Sequence, residues 1–131
     1  MTRMIRMVSI AVLASAGLIA CTSAPVAQTP SPATTLNGVL VGPNQMTLYV
    51  FDRDAIGIGK SACNGGCATN WPPLMAAKGA VPLGDWSLVT RDDGSSQWAY
   101  KGRPLYYWTK DGKPGDTTGD GVANAWRIAR P

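Results

Sequence analysis

The sequence predicts an all-β fold: a small antiparallel sandwich or partly closed barrel made of two tandem repeats. Short runs of β-branched and aromatic residues alternate with turn residues, which is typical of strands. No long apolar stripe at helical spacing is free of Gly or Pro after residue 36. A seven-residue motif recurs at a fixed offset, which indicates two copies of one supersecondary unit.

The predicted strands follow one another as hairpins along the chain. Each hairpin consists of two apolar runs that flank a turn rich in Gly, Asn, Asp or Pro. The hairpins and the last strand are predicted at 39–52 around turn 42–44, 86–100 around turn 92–94, 97–109 around turn 101–102, and 125–129. Residues 76–78 predict a single helical turn.

The repeated motif is LYVFDRD at residues 48–54 and LYYWTKD at residues 105–111. In a strand, successive side chains point to opposite faces, and both faces of each copy are largely apolar. We therefore expect the two copies to be strands buried between two layers. The Asp that ends each motif is placed to accept backbone N–H bonds of the following turn. Each Gly-rich loop then leads to a Trp, Trp71 or Trp126, and the tryptophans and tyrosines are expected to fill the core.

The first 20 residues are predicted to be a secretory signal peptide. Arg3 and Arg6 precede an apolar run at 7–20, which is shorter than the ~20 residues that a membrane-spanning helix needs. Leu18-Ile19-Ala20-Cys21 resembles the lipobox of bacterial lipoproteins. The resemblance implies cleavage before Cys21 and lipidation of its sulfur and new amino terminus, whereas an ordinary signal peptide is the alternative.

Three segments follow from these assignments. Residues 21–35 comprise the lipidated Cys and a tether of Pro, Ser, Thr and Ala that is expected to be disordered. Residues 36–131 form the domain, with repeat 1 at about 36–78 and repeat 2 at about 84–131. Thr22, rather than Asp, after the lipidated Cys is similar to lipoproteins sorted to the outer membrane. We therefore expect the periplasmic side of that membrane if the host has two membranes.

The repeated motif resembles that of the bacterial secreted-repeat lipoproteins, which are named for Tyr-x-[Phe/Trp/Tyr]-x-x-Asp. The matching residues are Tyr49, Phe51 and Asp54 in one copy and Tyr106, Trp108 and Asp111 in the other. The surrounding segments at 61–67, 71–74, 102–106 and 114–119 also agree with the pattern of that family. The resemblance implies the architecture and an envelope location, and it implies no particular activity.

The composition excludes several classes of function. The chain has no His and no Glu, so it contains no Ser-His-Asp or Cys-His catalytic pair and no histidine-ligated metal. Its 12 Lys and Arg, less Arg3 and Arg6 of the signal peptide, against 8 Asp give a charge of +2, too small to indicate nucleic-acid binding. A domain of this size also leaves little room for a catalytic cleft, and we expect no enzyme.

Cys63 and Cys67 are expected to form a structural disulfide in an oxidising compartment. The Asn-Gly-Gly sequence between them permits the tight turn that so short a ring requires. A redox pair is one alternative, although the spacing is wider than Cys-x-x-Cys and the setting is a Gly loop. Copper binding is another, with Met46 or Met75 as additional soft ligands.

Two further groups of residues are weaker candidates for binding. Asp111, Asp116 and Asp120 lie in one Gly-rich loop and supply oxygen ligands of the kind that Ca²⁺ takes. In the alternative interpretation they form turns. Trp98 and Tyr100, on a hairpin expected at an edge, are candidates for an exposed ligand surface.

The predicted function is a lipid-anchored accessory or binding module of the cell envelope, without a cofactor. An envelope redox or metal-binding protein that uses copper or calcium is the alternative. The expected partners are the membrane, through the lipid anchor, and an unidentified envelope partner or ligand.

Overall fold

The computed structural model describes residues 17–24 and 31–131. Most of the predicted signal peptide and residues 25–30 of the predicted tether lie outside the described residues. Residues 17–24 are exposed and carry neither helix nor strand. No helix in the described part of the chain combines the length and apolar character needed to cross a membrane.

The described residues from 31 onward form short strands, one α-helix and one 3-10 helix. In chain order the elements are β1 (Thr34–Leu36), β2 (Val39–Val41), β3 (Tyr49–Phe51), α1 (Gly66–Asn70), β4 (Trp86–Thr90), β5 (Ser96–Tyr100), β6 (Arg103–Pro104), the 3-10 helix (Val122–Asn124) and β7 (Trp126–Ile128). The prediction of an antiparallel β fold with two tandem repeats is confirmed, and the strands of the described body do not close into a barrel.

The strands pair in three small antiparallel sheets. β1 pairs with β2, β3 pairs with β7, and β4, β5 and β6 form a sheet with β5 in the centre. The two-residue turns Asn37-Gly38 and Lys101-Gly102 both have positive φ at each residue, the turn that matches the twist of a hairpin. The sheet of β3 and β7 joins the first repeat to the second.

The backbone hydrogen bonds of the two repeats are equivalent. The N–H of Leu48 donates to the carbonyl of Leu40 at 2.9 Å, and the N–H of Leu105 donates to the carbonyl of Trp98 at 3.1 Å. The two motif strands then meet, because Tyr49 and Tyr106 donate to each other's carbonyl at 2.8 and 3.0 Å. An approximate twofold relation therefore runs between the two tyrosines.

The last segment of each repeat pairs with the motif strand of the other repeat. Ile128 of repeat 2 lies opposite Tyr49 of repeat 1, and Pro73 of repeat 1 lies opposite Tyr106 of repeat 2. The N–H of Tyr107 completes the second pairing by donating to the carbonyl of Pro72 at 2.7 Å. The motif strand of each repeat therefore takes a pairing partner from the other repeat.

The motif strands separate two apolar layers, as the alternation predicts. The first layer contains the buried residues Ala33, Leu40, Leu48, Leu74, Trp86, Leu105 and Ala129. The second layer contains Tyr49, Phe51, Cys63, Trp71, Tyr106, Ala125 and Trp126. Burying both faces is what makes β-branched and aromatic runs without polar alternation stable as strands.

The folded body begins earlier than the predicted boundary at residue 36. β1 includes Thr34 and Thr35, which pair with Val41 and Leu40, and Ala33 is buried in the first layer. The predicted tether therefore ends before residue 33. β1 lies at a sheet edge with both its faces exposed, so it can contain two polar threonines. It therefore lacks the apolar pattern by which a strand is predicted from sequence.

The predicted helical turn at 76–78 is wrong. Residues 76 and 77 have no regular structure, and the α-helix forms instead at Gly66–Asn70, directly after Gly65 with a φ of 56°. No residue of α1 is buried, so its sequence carries no apolar stripe that indicates a helix. In the predicted hairpin 97–109, the second strand is shorter than predicted and consists of β6. Tyr106 then forms isolated bridges to Tyr49 and to Pro73.

Candidate functional site

The family-motif residues form hydrogen bonds that cross between the two repeats. The phenol of Tyr49 donates to Oδ2 of Asp111 at 2.6 Å, and the phenol of Tyr106 donates to Oδ2 of Asp54 at 2.6 Å. Both tyrosines are fully buried, and each aspartate is 8% exposed. Each repeat thus supplies the partner that satisfies the other repeat's buried carboxylate.

The second oxygen of each aspartate orders the loop that follows its own motif. Oδ1 of Asp54 accepts the N–H of Ala62 at 2.6 Å. Oδ1 of Asp111 accepts the N–H of Thr118 at 3.0 Å and its hydroxyl at 2.6 Å. Each carboxylate therefore joins one repeat's loop to the other repeat's tyrosine.

Burial shifts the protonation equilibria of these groups. Desolvation raises the pKa of the Asp54 carboxyl above its ordinary value, against the opposing effect of the hydrogen bond from Tyr106. Burial, reinforced by the neighbouring carboxylate, also raises the pKa of the Tyr49 and Tyr106 phenols. Both phenols therefore stay protonated at neutral pH and act as hydrogen-bond donors.

The aromatic residues of the motif form a continuous stack across the same interface. Trp71 and Trp126, one from each repeat, lie in the centre with ring centroids 3.7 Å apart and an interplanar angle of 4°. Phe51 stacks on Trp126 at 4.4 Å, and Trp108 stacks on Trp71 at 3.9 Å. Each motif aromatic residue therefore packs on the tryptophan of the other repeat.

A buried arginine connects the loop of repeat 1 to the sheet of repeat 2. Arg91, 6% exposed, donates to the carbonyl of Cys63 and to Oε1 of Gln97, both at 2.7 Å. It also donates to Oγ of Ser61 at 3.2 Å, and that hydroxyl lies 2.6 Å from the Tyr106 phenol oxygen. Sequence reasoning missed this residue, because an arginine before an Asp-Asp-Gly turn looks like an exposed strand end.

The predicted disulfide between Cys63 and Cys67 is present. Cys63 is fully buried in the second layer, whereas Cys67 is partly exposed and lies in α1. The bond holds the loop against the buried network, since Cys63 is also the acceptor for Arg91. With the two sulfurs bonded to each other, this state offers no thiolate pair to copper.

The aspartates proposed as calcium ligands accept hydrogen bonds from the chain itself. Asp116 accepts the N–H groups of Gly112 and Lys113 at 2.8 and 3.1 Å and forms an ion pair with the Lys113 ammonium at 3.3 Å. Asp120 accepts the N–H of Ile128 at 3.2 Å. Residues 17–24 and 31–131 contain no group of three or more His, Cys, Asp or Glu side chains arranged to hold a metal ion.

The other candidate residues occupy separate places. Met75 is 50% exposed beside the disulfide loop, and Met46 is partly buried near the turn that precedes β3. Trp98 is half-buried on β5, the central strand of its sheet and the partner of the edge strand β4, and its ring meets Trp86 edge-on. Tyr100 is half-buried and lines an open cleft.

The fold and the motif geometry define a class of protein: an antiparallel β body made of two fused repeats that exchange motif side chains. A family model described as a secreted repeat of unknown function matches residues 32–75 and again residues 87–130. The chain belongs to this family of secreted repeats, which places the protein outside the cytoplasm or in the cell envelope. No significant match was found among curated proteins or among solved structures.

Proposed function

We propose that the protein is a non-enzymatic binding module that is held at a membrane of the cell envelope through lipidated Cys21. The observation that carries the proposal is the exposed segment ending in Cys21: Leu18 and Ile19 are 98% and 91% exposed, and Cys21 is exposed. A lipobox must be reached by processing enzymes, and this accessibility supports that step. Several acyl chains hold a protein stably at a bilayer, whereas one does so only marginally.

The bonding of the buried carboxylates supports the non-enzymatic part of the proposal. Asp54 and Asp111 are the aspartates with less than a tenth of their surface exposed, among those that the structure describes. Each accepts hydrogen bonds at both oxygens, and these bonds hold loops and the interface between repeats. A general acid or base needs a free position toward substrate, and these groups are engaged inside the fold.

Mass spectrometry of the protein purified from its host tests the lipid anchor. We expect an amino-terminal peptide that begins at Cys21 and carries acyl chains, with the protein in the membrane fraction. The Cys21→Ser chain should lack the modification, while a Cys63→Ala/Cys67→Ala chain should keep it. An unmodified Cys21 in the membrane-derived wild-type protein would overturn the anchor. Because Thr22 rather than Asp follows Cys21, we expect the protein on the outer membrane of a host that has two membranes.

A second candidate is thiol–disulfide exchange at Cys63 and Cys67. It is favoured by the partial exposure of Cys67, which leaves one sulfur of the bond accessible to an attacking thiolate. A partner dithiol would give two electrons and two protons to the bond and become a disulfide itself. Equilibration with glutathione tests this role: a reduction potential between about −120 and −270 mV supports it, and one below about −300 mV assigns the bond to structure.

A further inference from the structure

An open cleft of about 240 Å³ lies between the β5–β6 turn and the end of the chain. Its accessible apolar lining includes Val50 and Ile128, which are both partly buried. Three basic residues, Lys101, Arg103 and Arg130, line the same cleft and are exposed. We call these five residues, together with Tyr100, the cationic cleft.

The positive charge of the cationic cleft is not balanced by acidic side chains. Among the described residues, the ion pairs are Lys113–Asp116 and Arg127–Asp52, and neither includes a residue of the cleft. Arg130 is held in place by a hydrogen bond from Nη1 to the carbonyl of Gly38 at 3.2 Å. Three cations around an apolar surface create a potential that favours a bound anion.

The backbone at Lys101 is an independent observation that points to the same place. Lys101 has a φ of 48°, a left-handed conformation that is unfavourable for a side chain with a Cβ. The β1–β2 turn has the same positive-φ conformation at Asn37, with a φ of 50°, and Asn is a residue that such turns prefer. Strained non-glycine residues concentrate at functional sites. The Lys101 ammonium lies 5.2 Å from the Tyr100 ring centroid.

We propose that the cationic cleft binds a small amphiphilic anion, a phosphate or carboxylate that carries a short apolar group. The basic side chains bind the charged end, with the arginines able to form paired hydrogen bonds to its oxygens. The accessible apolar surface of Val50 and Ile128 receives the uncharged end. The volume lies below the ~300–1,000 Å³ of typical ligand pockets, so the bound portion is small. The inference rests on the proposed binding role and is independent of the lipid anchor.

An NMR titration of the full, unprocessed chain carrying Cys21→Ser tests the proposal, with the apolar segment at 7–20 taken up by neutral phosphatidylcholine nanodiscs. Hexyl phosphate is the probe, and hexylammonium, hexanol and inorganic phosphate are its matched controls. We expect saturable shifts of the amides at 100–103 and 128–130 with hexyl phosphate, and binding about tenfold or more tighter than that of inorganic phosphate. Absence of saturable shifts, or equal binding of hexylammonium, would overturn the proposal.

The Lys101→Asn variant separates ligand binding from folding. Asn is preferred in this turn, so the urea midpoint should stay the same or rise, while binding of hexyl phosphate weakens about tenfold. Lys110→Asn is the control, because the Lys110 ammonium lies 5.7 Å from the Trp108 ring, outside the cleft. Wild-type affinity in Lys101→Asn would contradict the assignment, as would an equal loss in Lys110→Asn.

Competition identifies the source of the anion. Phosphatidylglycerol vesicles that displace hexyl phosphate from residues 100–103 indicate a lipid headgroup as the ligand. Vesicles that leave it bound indicate a free organic anion, and both results support an anion site. Because the chain used carries Cys21→Ser, a failure here leaves the lipid anchor unaffected, and a failure of the anchor leaves this result unaffected.

Discussion

Tyr49 and Tyr106 are the residues that tie each repeat to the other. Their side chains donate to the aspartates of the opposite repeat, and their backbones bond directly to each other. A buried carboxylate that loses its donor keeps the cost of desolvation without the compensating hydrogen bond. We therefore expect loss of either phenol to lower the free energy of unfolding.

The Tyr106→Phe substitution tests that contribution. It removes the donor to Oδ2 of Asp54 and the acceptor of the Ser61 hydroxyl while leaving the ring in place. We expect the free energy of unfolding, measured in urea, to fall by about 1–3 kcal/mol. Tyr100→Phe is the control, since its half-buried side chain takes no part in the tyrosine–aspartate bonds between the repeats. Equal stability of the two variants would contradict the importance of the Tyr106–Asp54 bond.

Asp54 should titrate above the ordinary range of aspartate. Its pKa is raised mainly by desolvation, whereas hydrogen bonds from Ser95 lower the pKa of the exposed Asp93. Carboxyl ¹³C shifts followed from pH 2 to 8 should show Asp54 losing its proton at higher pH than Asp93. The reverse order would contradict the burial of Asp54 in the folded protein.

The raised pKa of Asp54 also makes the free energy of unfolding depend on pH. The folded state holds this proton more tightly than the unfolded chain, so the stabilising contribution is full below the unfolded pKa of about 3.9. It is lost as pH rises through the higher folded value. The stability of the wild-type chain relative to Asp54→Asn should therefore decline over that window and then become constant.

At the scale of elements, the loop after the second motif is fixed by a close approach of backbone to aromatic rings. A Cβ added at Gly119 would lie 2.8 Å from the Trp71 ring and 2.9 Å from the Tyr49 ring. The φ of Gly119 is outside the left-handed region, so the space available decides the residue. The loop of repeat 2 thus packs against aromatic side chains of repeat 1.

The Gly119→Ala substitution should lower the free energy of unfolding by about 1–3 kcal/mol through overpacking. Gly112→Ala is a matched control in the same loop, because its added Cβ would meet Asp116 at an ordinary 3.6 Å. Thermal and urea unfolding of both variants measure the difference. A Gly119→Ala chain as stable as Gly112→Ala would show that the loop does not hold this position.

The sequence predicted the elements that the motif controls and missed those that depend on tertiary contacts. The strands near 39–41, 49–51, 86–90, 96–100 and 126–128 follow from apolar runs and turns. α1 has no apolar face, and β1 is made partly of exposed threonines, so neither leaves a pattern that local reasoning detects. Their positions are set by the disulfide loop and by pairing with β2.

The motif residues were predicted as core, but not their exchange between repeats. A repeated Tyr and Asp indicate two equivalent sites, yet the spacing is equally consistent with bonds inside each repeat. Which arrangement forms depends on the direct pairing of Tyr49 with Tyr106, a long-range contact. The buried Arg91 and the cationic cleft likewise arise from residues brought together only by the fold.

At the scale of the whole molecule, the two repeats form one interdependent body. The final segments pair across the repeats and the tyrosines donate across them. The four stacked rings, Phe51, Trp126, Trp71 and Trp108 in order, come alternately from repeat 1 and repeat 2. Separating the repeats would expose the buried carboxylates of Asp54 and Asp111. It would also break the pairing of each motif strand with the other repeat. The exchange thus makes a domain of two short units that individually lack a closed core.

Residue-resolved unfolding tests this interdependence most directly. In urea, amide signals of residues 34–75 and of residues 86–128 should disappear with one common midpoint, as expected for a single cooperative unit. Tyr106→Phe should lower that midpoint equally in both sets. Separate midpoints for the two repeats, or a shift confined to the repeat that contains residue 106, would contradict the fusion of the repeats into one body.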